Sequence, residues 1–118
     1  MNEARRQKAE RRGRFAEWTA ALWLIAKGYR ILALRHRTPL GEIDIIARRG
    51  DLVAFIEVKA RRDTALAIDA VSASAQTRIR AASELWLGRH ADAARLSLRY
   101  DIIAILPFRR PRHFADAF

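Results

Sequence analysis

Two acid-bearing segments flank a predicted β-hairpin and constrain this chain more than any other feature. Segment 41–44 (Gly-Glu-Ile-Asp) precedes one apolar run, and segment 57–59 (Glu-Val-Lys) ends the next, with Gly50 and Asp51 between the two runs. Apolar runs on either side of such a dipeptide are typical of a hairpin with a two-residue loop. The register set by that loop places Asp44 directly opposite Glu57. Neighbouring carboxylates repel each other, so the pair predicts a bound cation.

The same register gives the hairpin one apolar face and one mixed face. The apolar face is predicted to be core and comprises Ile43, Ile45, Ala47, Ala54, Ile56, Val58 and Ala60. The mixed face collects its charges at the end far from the turn, where Glu42 would face Lys59 beside the acid pair. A simple Glu42–Lys59 salt bridge, with Asp44 and Glu57 solvated, is an alternative explanation that needs no metal.

The acid pair has the chemistry of a hard-metal site. Carboxylate oxygens suit Mg²⁺ or Mn²⁺, which keep several waters and bind substrate phosphates. Lys59 points to the same side as Glu57, where it would orient or deprotonate an attacking water or stabilise charge on phosphorus. Zinc fits poorly because the three histidines are widely scattered and there is no cysteine.

Composition predicts one basic, intracellular domain. The 118 residues, 51% of them hydrophobic, suit a single core, and the net charge of +10 comes from 23 Lys and Arg against 13 Asp and Glu. Such a balance favours a nucleic-acid partner, although an anionic membrane surface or a merely basic surface would also fit. No segment resembles a signal peptide or a membrane helix, so we expect a cytoplasmic protein without a membrane partner.

Periodicity predicts the order α-β-β-β-α-β, which indicates a single α/β domain with a mixed central sheet flanked by helices. The predicted first helix spans 14–27, with Phe15, Trp18, Leu22 and Ile25 at helical spacing. The remaining predicted segments are a strand at 29–34, a connection at 35–40, the hairpin at 43–60, a helix at 69–87 and a strand at 95–106. We expect a flexible basic arm at 1–12, the domain at 13–106 and a basic, aromatic tail at 107–118.

Five short motifs between residues 13 and 106 resemble those of a known family. They are Gly13 with Glu17 and Ala20, segment 28–32 (Gly-Tyr-Arg-Ile-Leu), segment 41–44, segment 57–61 (Glu-Val-Lys-Ala-Arg) and segment 100–105 (Tyr-Asp-Ile-Ile-Ala-Ile). The chain resembles the YraN-like uncharacterised family of the PD-(D/E)xK nuclease superfamily, related to archaeal Holliday junction resolvases. This resemblance implies a restriction endonuclease-like fold.

The resemblance also implies roles for site residues. Asp44 and Glu57 would be metal ligands, with the carbonyl of Val58 as a third, and Lys59 would be the catalytic lysine. Glu17 matches the first-helix acid that completes the metal site in resolvase relatives. A first-turn carboxylate favoured by the helix dipole is an equal explanation for Glu17.

Two positions depart from the family pattern, and both lie in predicted substrate-binding regions. His36 precedes Arg37 where the family usually has Asn, and Ala75 precedes Gln76 where it usually has Lys. The lost lysine would weaken substrate binding, and Gln76 is also explained as an ordinary surface glutamine. The predicted nucleic-acid contacts are Arg35, Arg37, Arg61, Arg62, Gln76 and Arg78.

The leading hypothesis is a Mg²⁺- or Mn²⁺-dependent DNA endonuclease acting on branched, flap or recombination-intermediate DNA. Analogy with resolvases implies a homodimer. The alternative is a non-catalytic nucleic-acid-binding module of a larger DNA-processing complex. Asp101, which begins an apolar strand, is explained either as a distant metal ligand or, preferably, as a structural hydrogen-bonding group.

Overall fold

The computed structural model describes the backbone of residues 3–118, and their side chains except those of residues 8–10 and 12. The first part of the chain forms helix α1 and three strands. The second part forms two helices and two more strands. In chain order they are α1 (Glu3–Ala26), β1 (Arg30–Thr38), β2 (Gly41–Arg49), β3 (Leu52–Ala60), α2 (Thr64–Asp69), α3 (Ala73–Leu87), β4 (Ser97–Ile105) and β5 (Arg112–Phe114).

The five strands form one mixed sheet in the order β1-β2-β3-β4-β5. Only β3 and β4 run parallel, and the chain between them supplies α2 and α3 as the crossover. Helix α1 packs on one face of the sheet and α3 packs on the other. The predicted single α/β domain, with a mixed sheet flanked by helices, is therefore confirmed.

The predicted hairpin loop is also confirmed. β2 and β3 pair from Arg49 opposite Leu52 to Ile45 opposite Ile56, which leaves Gly50 and Asp51 as the turn. Gly50 has a φ of 62°, a left-handed conformation that glycine adopts without steric cost.

Both faces of the hairpin are buried, not only the predicted apolar one. Ile45, Ala47, Ala54, Ile56 and Val58 pack under α1 as expected, but Ala60 is exposed. Ile43 was assigned to the same face, yet it packs on the α3 side together with Ile46, Val53 and Phe55. Because Ile43 and Ile45 lie on opposite faces, the normal alternation of β2 is interrupted at Asp44.

Helix α1 contacts the sheet through three alanines and one leucine. Ala16, Ala20, Ala21 and Leu24 are buried, whereas Phe15, Trp18, Leu22 and Ile25 face outward. The periodicity of those outward-facing residues correctly predicted a helix but not which face would be buried. The helix ends in a Schellman motif, in which Tyr29 N donates to Leu24 O and Gly28 N donates to Ile25 O, both at 3.0 Å.

Several predicted boundaries differ from the structure. Residues 3–12, expected to form an arm, continue α1, while residues 1–2 lie outside the described part. Residues 35–38 extend β1 instead of forming a connection. The predicted helix at 69–87 corresponds to α3, which begins later because Ser72 caps it by accepting a hydrogen bond from Ala75 N at 3.1 Å, and the separate short helix α2 precedes it.

The segment 107–118 is attached to the domain by β5 and by a buried carboxylate. Asp101 accepts two hydrogen bonds of 2.8 Å from Arg99 and one of 3.0 Å from the Asp116 amide. His113 Nε2 donates to Asp101 at 2.7 Å, while Lys27 Nζ lies 2.7 Å from His113 Nδ1. Asp101 therefore has the structural role that the sequence favoured.

Candidate functional site

The candidate site begins where the sheet loses its regular hydrogen bonding. The β2–β3 ladder stops at Ile45 and Ile56, and beyond it the Val58 amide donates to Asp44 Oδ2 at 2.8 Å. The Asp44 carboxylate thus takes a backbone donor that would otherwise serve the ladder. On the other side, the β1–β2 pairs flank Asp44 without including it, and Arg35, which would face it, has a φ of 52°. Both neighbouring strands are irregular at this acid.

Asp44 and Glu57 are brought together as the sequence predicted. Burial and the neighbouring charge of Glu57 together raise the pKa of Asp44 to about 8, although the Val58 amide acts in the opposite direction. Glu17 on α1 is close enough to add to the rise. The pair therefore requires either a shared proton or a cation to offset the repulsion.

Lys59 is placed at this acid pair. Its Nζ lies 3.3 Å from Glu57 Oε1, and both side chains are largely shielded from solvent. Glu42 instead pairs with Arg37 at 3.3 Å on the exposed side of the strand. The simple Glu42–Lys59 bridge, considered as the alternative to a metal site, is thus replaced by two separate ion pairs.

Glu17 reaches the site from α1, but its carboxylate is already paired with the guanidinium of Arg35. Arg35 Nε donates to both carboxylate oxygens of Glu17 at 2.8 Å, and this hydrogen bond is the main cause of the raised pKa of Arg35. Since α1 begins at Glu3, Glu17 lies well inside the helix. The first-turn dipole explanation for Glu17 is therefore wrong.

Asp44 and Glu57 supply part of what a divalent cation requires. Among the residues that the structure describes, no group of three or more His, Asp or Glu side chains is arranged to hold a metal ion. Asp44 and Glu57 nevertheless fit Mg²⁺ or Mn²⁺, because Mg²⁺ sites commonly use one or two carboxylates and several waters. The predicted backbone ligand, Val58, is the residue whose amide holds Asp44.

The predicted nucleic-acid contacts have different surroundings. Arg61 and Arg62 are exposed immediately after β3, and Arg37 is exposed beside Glu42. Arg35 is engaged by Glu17. Gln76 is half-buried and donates to the Val71 carbonyl at 3.3 Å, which favours a structural role over a substrate contact.

Arg78 is exposed on α3 and connects that helix to the acid-bearing segment. Its Nη1 donates to Ser74 Oγ at 2.9 Å. A side chain added at Gly41 would lie only 3.0 Å from both Arg78 Cβ and the Arg78 carbonyl oxygen. Glycine at the start of segment 41–44 thus permits close packing of β2 against α3.

Sequence reasoning missed two features of the site region. It assigned Arg35 to substrate binding, and nothing in the pattern indicated a left-handed arginine that pairs with Glu17. It also missed the outward orientation of the large apolar residues on α1. The signal for that orientation was available in the alanines at 16, 20 and 21, which form an apolar face of their own.

Fold and site together define a three-layer α/β/α protein with a carboxylate pair and a lysine at one end of its central sheet. None of the helices in the described part has the length and apolarity required to cross a membrane. The model of the uncharacterised protein family UPF0102 matches residues 16–105. The chain belongs to this family.

Close relatives carry the same family name and nearly the same length. A UPF0102 protein of Rhizobium johnstonii is 71% identical over 113 residues, which cover 96% of this chain and 93% of the relative. A UPF0102 protein of Agrobacterium fabrum is 63% identical over 114 residues, covering 97% and 93%. One of Rhizobium meliloti is 62% identical over 116 residues, covering 98% and 95%. The predicted family membership is confirmed, and these names state no activity.

Proposed function

We propose that this protein is a Mg²⁺- or Mn²⁺-dependent endonuclease that hydrolyses phosphodiester bonds in DNA. The observation that supports it most is the Asp44–Glu57 pair, whose burial and mutual repulsion raise the pKa of Asp44 to about 8. A divalent cation would relieve that repulsion while leaving coordination positions for water and phosphate. Lys59 at 3.3 Å from Glu57 adds a proton-transfer group to the same position.

Asp44 and Glu57 would hold the metal, with the Val58 carbonyl as a backbone ligand. When bound, the metal would polarise the phosphoryl group and lower the pKa of a bound water. The Val58 amide fixes the orientation of Asp44 by donating to one of its oxygens at 2.8 Å. A metal would bind Asp44 in that orientation and would replace the contact between Asp44 and Glu57 that raises the pKa of Asp44.

Lys59 would act on the phosphate or on the attacking water. Its position beside Glu57 keeps the ammonium near the acid pair in the absence of substrate. Ligation of Glu57 to a metal would weaken that ion pair, because the metal competes for the same carboxylate charge. Lys59 would then be available to donate to a phosphate oxygen or to orient water.

Glu17 and Arg35 would form the wall of the site on the α1 side. Their hydrogen-bonded pair, at 2.8 Å, holds Arg35 at Glu17 and leaves part of the guanidinium accessible. An accessible arginine beside a carboxylate metal site suits a phosphate of the DNA backbone. In this proposal Glu17 is a positioning residue, which contributes to the metal site only through Arg35.

DNA is the favoured substrate because of the charge and the family resemblance. The net charge of +10 supplies backbone affinity, and Arg37, Arg61, Arg62 and Arg78 are exposed for it. Branched, flap or recombination-intermediate DNA follows from the similarity to resolvases. We place the protein in the cytoplasm, where it would act alone or with a DNA-processing partner.

A non-catalytic nucleic-acid-binding module is the second candidate. It is favoured by the Glu17–Arg35 pair, because an acid neutralised by arginine is a poorer third metal ligand than a free one. In that case the basic surface would bind DNA, and a proton on Asp44 would take the place of the cation. The two candidates make different predictions for the experiment that follows.

The test is a cleavage assay on single-stranded, duplex, flap and four-way DNA and on matched RNA, with Mg²⁺, Mn²⁺ or chelator. We expect metal-dependent cuts that fall at least about 100-fold in Asp44→Asn, Glu57→Gln and Lys59→Met. Glu42→Gln is the matched control, since it removes a neighbouring acid outside the pair. Salt-sensitive binding without cleavage under any of these conditions would select the binding module instead.

A further inference from the structure

Helix α1 carries an apolar stripe that faces away from the rest of the molecule. The stripe comprises Phe15, Trp18, Leu22 and Ile25, whose side chains are 73%, 60%, 63% and 54% exposed. The alanines on the opposite side of the helix already make the contact with the sheet. Packing of the described domain therefore leaves the larger apolar residues of α1 without a role in the core.

The surroundings of the stripe resemble the arrangement of a protein interface. Between Phe15 and Ala26 the only charged residue is Glu17, and it is hydrogen-bonded to Arg35. The charged Arg11, Arg14 and Lys27 lie at the two ends of the stripe. Interfaces typically have an apolar centre that lacks charge and a charged, solvated rim.

A neighbouring recess enlarges the apolar surface. It is an open recess of about 840 Å³ beside Phe15, lined by Ala16, Leu106 and the fully exposed Phe108 and bordered by Arg61 and Arg62. A whole aromatic side chain has 150–250 Å² of surface, so Phe15, Trp18 and Phe108 together expose roughly 500 Å². This exposed area approaches the roughly 800 Å² that each partner buries in a standard interface. It also matches the upper range of the largest apolar patches on ordinary monomers, about 300–600 Å².

We propose that a second copy of this chain covers the stripe, with the two α1 helices antiparallel about a two-fold axis. The stripe residues are separated by three, four and three positions, so the spacing reads the same in both directions. A two-fold interface requires such self-complementarity. Antiparallel packing places Phe15 against Ile25 of the partner subunit and Trp18 against Leu22 of the partner subunit.

Charge favours the antiparallel orientation over the parallel one. Residues 1–14 contain six Lys and Arg against two Glu, so parallel helices would bring two strongly basic segments together. Antiparallel helices separate those segments.

The proposed interface borders the candidate site but does not depend on its chemistry. Trp18 and Arg14 line a recess of about 300 Å³ together with Glu17, Leu34 and Arg35. A partner packed on Trp18 would therefore form part of the wall of that recess. The interface would exist whether or not the acid pair hydrolyses DNA, so a failure of one proposal leaves the other testable.

The first test measures molar mass in solution by light scattering and sedimentation, from low to high micromolar concentration. We expect wild type to approach twice the 13.5 kDa of one chain, and Leu22→Arg to raise the dimer dissociation constant at least about tenfold. Leu85→Arg adds the same charge to a 38% exposed leucine on α3 and is expected to leave the dimer unchanged. Circular dichroism confirms that each variant is folded.

A second test reports the orientation of the helices, because the chain has no cysteine. The Trp18→Cys/Leu22→Cys double variant is expected to form an intersubunit disulfide on mild oxidation, and Trp18→Cys and Leu22→Cys alone to form little. A monomeric wild type at all concentrations, or a dimer unaffected by Leu22→Arg, overturns the proposal. A monomer that binds anionic lipid vesicles through Leu22 also overturns it, in favour of a membrane surface.

Discussion

Asp44 Oδ2 accepts a hydrogen bond of 2.8 Å from the Val58 amide at the point where the β2–β3 ladder has ended. This contact explains how two acids can be held side by side in a partly buried position. The backbone donor stabilises the ionised form of Asp44, while burial and Glu57 oppose it. The site is thus strained electrostatically although its geometry is well fixed.

Asp44→Asn is predicted to stabilise the metal-free protein at alkaline pH. The pKa of Asp44 rises from 3.8 to about 8 on folding, so its destabilising effect is absent below pH 4, grows as the pH rises from 4 to 8 and is fully present above 8. After allowance for solvent screening and for coupling to Glu57, we expect the free energy of unfolding of Asp44→Asn to exceed that of wild type by about 2 kcal/mol at pH 9. Urea unfolding at pH 4 and pH 9 measures it; an equal effect at both values would contradict the assignment.

Asp101→Asn is predicted to destabilise the protein at neutral pH. Burial alone would raise the pKa of Asp101, but hydrogen bonds from His113, Arg99 and the Asp116 amide lower it to about 2. Its stabilising contribution is therefore present above pH 4 and is lost as pH falls towards 2. We expect the free energy of unfolding to fall by about 3 kcal/mol at pH 7, because the substitution removes the carboxylate that neutralises Arg99 and leaves it only the Tyr29 hydroxyl.

Thermal unfolding at pH 7 and pH 3 checks the Asp101 prediction. The difference between wild type and Asp101→Asn should shrink at the lower pH. Hydrogen exchange gives a second readout, since residues 112–116 should lose protection when their anchor is weakened. Unchanged exchange in this segment would mean that the contacts of Asp101 do not hold it.

Glu17 and Arg35 are predicted to be coupled in stability. A double-mutant cycle with Glu17→Ala and Arg35→Ala should give a coupling energy of about 1 kcal/mol, because the pair is only partly exposed and both carboxylate oxygens of Glu17 accept from Arg35 Nε. The cycle on Arg37 and Glu42, which are far more exposed, is the matched control and should give about 0.3 kcal/mol. Equal coupling in both cycles would argue against a fixed Glu17–Arg35 wall.

Two glycines are predicted to respond to alanine in opposite ways. Gly41→Ala would push against Arg78 at 3.0 Å and should cost about 1–2 kcal/mol. Gly13 lies inside α1 with nothing within 4 Å of an added Cβ, so Gly13→Ala should add about 0.5–1 kcal/mol. Denaturant unfolding of both variants measures this; destabilisation of Gly13→Ala would indicate that α1 does not extend through that position.

The sequence predicted the elements and the acid pair because both depend on local patterns. The two-residue turn set the register of β2 and β3, and that register brought Asp44 to Glu57. What it could not predict was the break in alternation at Asp44, which moves Ile43 to the other face. That break coincides with the contact in which the Asp44 side chain of β2 takes the Val58 amide of β3, and such a contact is formed only when the two strands are assembled.

Hydrophobic periodicity could not predict which face of α1 is buried, and the reason is different. Its alanine face and its large apolar face are both compatible with burial. The face that packs on the sheet is mostly alanine, which lets the helix approach closely, and it includes Leu24, whereas Phe15, Trp18, Leu22 and Ile25 remain outside. A pattern that is apolar over most of a helix predicts burial somewhere, but only the assembled domain shows which face is buried within it.

The proposed metal-dependent function depends most directly on whether Asp44 and Glu57 hold a divalent cation. Electron paramagnetic resonance titration of the DNA-free protein with Mn²⁺ measures this without requiring activity. We predict one bound Mn²⁺ per chain, lost in Asp44→Asn and in Glu57→Gln and retained in Glu42→Gln. Wild type that binds no Mn²⁺, or binding that survives loss of both acids, would contradict the account.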